Sequence, residues 1–151
     1  WPDDMGYKRN QFFSVQTYRD LLKPVHRRAI RWAHDKGVKA CVHSCGDVRP
    51  FVPELIEIGL DILNPIQPEC MDPAKLKREY GRHLSFWGTI GTQSTMPFGT
   101  PDDVRRVVRE RIESVGPEGL LLAPTHVLEP DVPWDNILAF VEAVEEFGQA
   151  G

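Results

Sequence analysis

The 151-residue sequence has no run of about 18 apolar residues, so no membrane-spanning helix is expected, and no basic-then-apolar leader marks a secretory signal. An excess of positive charge is missing too. Eighteen Lys and Arg stand against 22 Asp and Glu, a formal net charge of -4. The run Arg105, Arg106, Arg109, Arg111 is interleaved with Asp and Glu at helical spacing, the pattern of a solvated helix face rather than a stripe for phosphates. Neither a nucleic-acid nor a membrane partner is expected, and the expected location is the cytoplasm. No GxGxxG follows a strand candidate, which weighs against a dinucleotide site. Cysteine is scarce. Three residues, Cys41, Cys45 and Cys70, cannot all pair with one another, which leaves metal binding, catalysis or burial as their roles. An initiator Met is absent as well, and the opening "WPDDMGYKRNQFF" reads as the end of a strand, as though an upstream half preceded it.

What is present has the composition of one domain with its own core, 41% hydrophobic and 26% charged. Strand candidates are Val38 to His43, Asp61 to Ile66, His83 to Thr89 and Gly119 to Ala123. Helices are punctuated between them. A leading helix spans 15–37, ending at Gly37 and bent or split by Pro24. After the first strand, Asp47 caps a helix that runs to Gly59. Asp72 and Pro73 open the next, which stops at Gly81, and Thr100 and Pro101 open a third with Val104, Val107, Val108, Ile112 and Val115 on one face. The last runs near Pro133 to Phe147, with Ile137, Phe140, Val141 and Val144 expected on its buried side. The order, one helix and then four βα units over 38–148, predicts an α/β fold with a parallel sheet. Polar and reactive residues gather where strands end, in "HSCGD", "NPIQPEC", "GTIGTQ" and "APTH", the rim on which barrel enzymes build active sites.

Residues two apart on a strand face the same way, which puts His43 and Cys45 roughly 6 to 7 Å apart at Cα and within reach of one zinc ion. His126, at the end of the last strand, is the candidate third ligand, and Glu69 or Cys70 a fourth. Asp47 is the candidate to orient His43. Spacing alone leaves a buried His and Cys with no metal equally open. Cys41 is assigned to core packing, Cys70 to structure, and His26 and His34 to surface or packing; His83 lies at the wrong strand end for chemistry.

Five stretches carry a wider likeness: "FFSVQTYRDLLKPVHRRAIRWAHDKG", "VHSCGD", "LDILNPIQ", "FWGTIGTQSTMPFGTPDDVRRVVRERI" and "LLLAPTHVLEPDVPWDNILAFVEAV". Together they resemble the carboxy-terminal half of the uroporphyrinogen decarboxylase superfamily. The resemblance implies a TIM barrel, of which this chain would form one domain, a (βα)4 half-barrel. It also implies one of two chemistries. One branch decarboxylates uroporphyrinogen without a cofactor; the other holds zinc-dependent methyltransferases that move a methyl group between a corrinoid protein and a thiol such as coenzyme M. "HSC" resembles the His-x-Cys pair of the methyltransferases, whose third ligand, commonly Cys, ends the final strand where His126 stands here. Decarboxylases also carry a histidine at that place, so His43 with Cys45 separates the branches and His126 does not. The decarboxylases' substrate-gripping arginines and central aspartate belong to the amino-terminal half, which this sequence does not contain.

The expectation is therefore zinc on His43, Cys45 and His126, a small-molecule thiol as substrate, a corrinoid on a partner protein, and Glu69 completing the metal shell or serving as a base. Two alternatives are a decarboxylase in which His126 meets a tetrapyrrole carboxylate, and an inactive half-barrel that binds a partner or tetrapyrrole. Four strands in an arc leave two free edges and an uncovered apolar face, so closure as a homodimer with two metal sites is expected.

Overall fold

The computed structural model describes residues 2–148. Its centre is a parallel sheet of β1 (Cys41–His43), β2 (Ile62–Ile66), β3 (Ser85–Ile90) and β4 (Leu120–Pro124), in that spatial order. Paired residues of parallel strands share a face, and the register sets Val42 beside Leu63 and Leu63 beside Phe86. This face is buried against Ile30, Leu55 and Leu76 from the helices. The opposite face carries Cys41, His43, Ile62, Asn64, Trp87 and Leu121. Nothing among the described residues covers its far end, where Trp87 and Leu121 are each 41% exposed.

The leading helix is continuous but changes pitch. A turn of α-helix (α1, Val15–Thr17) passes into a π turn over Tyr18–Leu22 and then into α2 (Lys23–Asp35), with Pro24 in the first turn of α2. Proline has no N–H to offer the carbonyl four residues back, and the chain widens into the π turn just ahead of it. Gly37, at φ 72°, ends the helix. The N–H groups of Gly37 and Val38 donate to the carbonyls of His34 and Ala33, which satisfies the helix end in a Schellman pattern. Val38 is thus spent on the cap, and β1 starts at Cys41 rather than at Val38 as the apolar run suggested. Ahead of the helix, one isolated parallel bridge sets Pro2 beside His43 of β1.

A 3-10 turn at Arg49–Phe51 leads into α3 (Val52–Glu57), which stops before Gly59 at φ 89°. The helix α4 (Pro73–Tyr80) is capped by Asp72, whose carboxylate accepts from the N–H groups of Ala74 and Lys75. A four-residue helix, α5 (Thr95–Phe98), follows β3 with no counterpart in the sequence reading. The capping box of Thr100 and Asp103 then opens α6 (Pro101–Val115). In α7 (Trp134–Phe147) the buried residues are Asn136, Ala139 and Ala143. Ile137, Phe140 and Val144 pack against the same core as expected, whereas Val141 is 47% exposed. The small alanines let α7 lie close on α6, and the Asn136 amide donates to the carbonyls of Met96 and Gly99 at 2.8 and 2.7 Å, ending α5. No helix among the described residues is long and apolar enough to cross a membrane.

The leading helix is locked to α3 by charge. Glu54 bonds Lys23 and Arg19, each at 2.6 Å, and its side chain is only 8% exposed. Lys23 also meets Glu57 at 2.7 Å. Hydrogen bonds from Arg19 and Lys23 hold the Glu54 carboxyl at about 2, below the ordinary 4.5. Because the folded value lies under the unfolded one, its stabilisation is complete above about pH 4.5 and is lost as pH falls towards 2. Denaturant titrations of wild type and Glu54→Gln should differ by on the order of 2 kcal/mol at neutral pH, and the gap should close as the pH is lowered through that window.

Candidate metal centre

At the carboxyl ends of the strands, one ligand atom each from His43, Cys45 and His126 lie within 4.8 Å of one another. Cys45 Sγ is 3.4 Å from His43 Nε2. Tetrahedral zinc, with Zn–N near 2.0 Å and Zn–S near 2.3 Å, would separate such a pair by about 3.5 Å, so the donor set fits that ion in identity and spacing. The rings of His43 and His126 stand edge to face with centroids 6.0 Å apart.

His43 is also in the tautomer ligation needs. Its Nδ1 lies 2.7 Å from Asn64 Oδ1. An amide oxygen only accepts, so Nδ1 carries the proton and Nε2 turns its lone pair towards Cys45. The role foreseen for Asp47 therefore belongs to Asn64. Asp47 is turned away, forked onto Arg49 at 2.8 and 2.7 Å, and it accepts the Arg49 N–H. Those bonds hold its carboxyl below the usual range. Burial pushes the Cys45 thiol above its ordinary value, helped by the nearby charges of Asp4 and Cys70; a metal is what would deprotonate it.

Cys45 is fixed by the segment that precedes the leading helix. Asp4 accepts the Cys45 N–H at 2.8 Å, the Asp3 N–H donates to the His43 carbonyl at 2.9 Å, and the Asp47 N–H donates to the Tyr7 carbonyl at 3.0 Å. Two glycines allow this approach. A Cβ on Gly46, itself at φ 84°, would fall 2.5 Å from the backbone of Gly6 and Tyr7. His26, expected to be surface or packing, is buried and anchors the same segment from α2, with Nε2 at 2.8 Å from Asp3 and Nδ1 at 3.1 Å from the Tyr18 hydroxyl. His34 pairs with Asp61 at 2.7 Å, far from the rim.

The other walls come from the loops after β2, β3 and β4. Glu69 and Cys70 do not join the ligand cluster found among the described residues. Glu69 Oε1 accepts from the Ser94 hydroxyl at 2.6 Å and from the Gln93 N–H at 3.3 Å, while Oε2 is buried without a partner. Thr92 then meets Thr125, the neighbour of His126, at 3.1 Å between hydroxyls. The loops enclose a cavity of about 450 Å³ bordered by Cys45, Gln67, Cys70 and His126. Cys41 is half-buried on the open face below it. Sequence reading passed over Asn64, Asp4 and Gln67. An amide inside an apolar strand, "LDILNPI", was the available signal for Asn64; Asp4 and Gln67 acquire partners only when distant loops meet.

Four parallel strands with their reactive residues at one rim define the class, an α/β arc that is part of a TIM-type barrel. The chain belongs to the uroporphyrinogen decarboxylase (URO-D) family, whose pattern matches residues 4–147. Among curated proteins it is 26% identical, over 138 residues, to a methylated-thiol--coenzyme M methyltransferase of Methanosarcina mazei, with 91% of this chain and 35% of that protein aligned. A solved methyltransferase from Methanosarcina mazei superposes with a TM-score of 0.78 at 23% identity, over 97% of this chain and 41% of that one. The chain thus spans about a third of its curated relative's length, and the structural likeness establishes the barrel-type fold.

If zinc occupies this cluster, replacing Asn64 by Leu should weaken its binding about 10- to 100-fold, since the change frees the His43 ring and its tautomer. Competition against a chromogenic chelator measures this, with circular dichroism to show that the fold is kept.

Proposed function

We propose that the chain carries the metal centre of a zinc-dependent methyltransferase, which moves a methyl group between a corrinoid on a partner protein and a small thiol. The observation that carries this reading is the convergence of His43, Cys45 and His126 on one point at the edge of a cavity. Bound there, zinc would act as a Lewis acid that lowers the pKa of a substrate thiol and favours its thiolate at neutral pH. The protein's own part is orientation. Asn64 fixes the His43 ring, and Asp4 fixes the backbone of Cys45. His126 is exposed and presents its nitrogen from the far wall. Three protein ligands leave a fourth position for substrate, and Glu69, with one oxygen buried and unpartnered, is a carboxylate that could fill that position in the absence of substrate or take the thiol's proton. The curated relative's name, a methyltransferase acting on methylated thiols and coenzyme M, agrees with the thiol assignment.

Protein purified without chelator should hold about one zinc per chain, and Cys45→Ser and His126→Ala should each lose most of it; full metal in both variants would overturn the site. Thiol binding to the loaded protein should release a proton. Calorimetry in buffers of different ionisation enthalpy reads that proton as a buffer-dependent heat, and identical heats would argue against the reading.

The same proposal includes a second copy of the chain. The open sheet face presents Trp87 and Leu121, while Trp134, Leu138 and Val141 form an exposed apolar stripe on α7 at helical spacing. Apolar surface of this kind is covered in a closed barrel of eight strands, and two arcs of four supply that number. Light scattering at micromolar concentration should give twice the chain mass of 17.2 kDa. A monomer whose unfolding is cooperative and independent of concentration would refute the dimer.

A further inference from the structure

Resting on that thiol-binding reading, we propose that the Gln67 side chain reads the substrate, its amide NH2 donating a hydrogen bond to a carboxylate or sulfonate oxygen on the thiol's carbon chain. Gln67 follows β2 in "NPIQPEC" and is only 6% exposed, yet it borders the cavity together with Cys45 and His126. Its backbone is pinned. The Gln67 carbonyl accepts from the N–H groups of Cys70 and Met71 at 2.9 and 2.8 Å.

Its side-chain orientation is fixed as well. Oε1 accepts the Gly46 N–H at 3.1 Å, and because a backbone N–H can only donate, the oxygen must be the atom on that side. The NH2 group therefore points the other way, and no protein acceptor meets it among the described residues. The Gln67 side chain borders the cavity, so an amide donor left without a protein acceptor is satisfied by what fills that cavity, water or a substrate oxygen. Lys8 and Glu129 line the same cavity with opposite charges, so net charge selects little there. The directional donor is left to choose. Since Gly46 immediately follows the ligand Cys45, the same carboxamide that holds the ligand loop in place also measures the substrate's far end.

The test compares 2-mercaptoethanesulfonate and 3-mercaptopropionate with 1-propanethiol, which lacks an acceptor oxygen, on the zinc-loaded protein. Wild type should bind the two acids at least about tenfold more tightly, as expected for a hydrogen bond to a charged group. Gln67→Glu keeps an oxygen for Gly46 N–H but turns a second acceptor into the cavity, and its acid-to-propanethiol ratio should fall to about one or below. Gln67→Met should lower the ratio likewise, and zinc content in both variants reports whether the centre is intact. A second readout does not need the metal. The Gln67 NH2 resonances, assigned by their loss in Gln67→Met, should shift when ethanesulfonate is added to metal-free protein. If zinc or thiol fails to bind but that shift occurs, the role of Gln67 stands and the methyltransferase reading falls. If thiols bind the loaded protein with a ratio that Gln67→Glu leaves unchanged, or the resonances do not move, the role of Gln67 is overturned and the methyltransferase reading survives.

Discussion

The rim depends on the register in which β1 pairs with β2. That register sets His43 against Asn64, and paired residues of a parallel sheet project to the same side. A slip of β1 by one residue would turn His43 into the helix layer and bring Val42 to the open face, because side chains alternate along a strand. The pairing is held by burial of Val42 and Leu63 on the helix side. Hydrophobic packing on one face of the sheet therefore determines the proton position on an imidazole of the other.

Beyond β1 and β2 the centre is assembled from loops, each holding the next. Gly6 and Gly46 bring two backbones into contact, so that the opening segment can brace Cys45. Glu69 reaches across to the loop after β3, and Thr92 carries the connection on to Thr125 beside His126. Contacts of this kind are short-range, and each suits one arrangement of its neighbours. They hold His126 near His43 and Cys45 although the strands that bear them lie at opposite edges of the sheet. One irregularity sits among them: Thr89 is buried at φ 83°, and its carbonyl accepts from Arg111 on α6. A β-branched residue there is strained, and the helix contact helps to hold the bend at the end of β3.

The leading helix takes part without touching the candidate ligands. Its lower half is tied to α3 through Lys23 and Glu54, and its middle through His26 to Asp3, whose N–H pairs with the His43 carbonyl. A polar chain thus runs from the buried Tyr18 to the backbone of His43. The structure places packing energy in two apolar clusters, one around β1 and β2 and one between α6 and α7, with the rim spanning both.

The sequence by itself determined what depends on local rules. Alternation of apolar runs with capped helices gave the parallel α/β order, Asp72 and Thr100 marked helix starts, Gly37 and Gly59 marked ends, and the two-residue period put His43 and Cys45 on one face. Those features follow from dihedral preferences and hydrogen bonds within a few residues. The π turn, the short α5 and the exposure of Val141 were not legible in the apolar pattern: they follow from proline's missing donor and from the closeness that Ala139 and Ala143 permit between α7 and α6. The partners at the rim were decided by tertiary packing. Asp47 shares the His43 motif and Asn64 lies in another, yet it is Asn64 that meets the ring, through a pairing across 21 residues. Nothing within either motif encodes that distance, because the energy that fixes it lies in the buried face of the sheet.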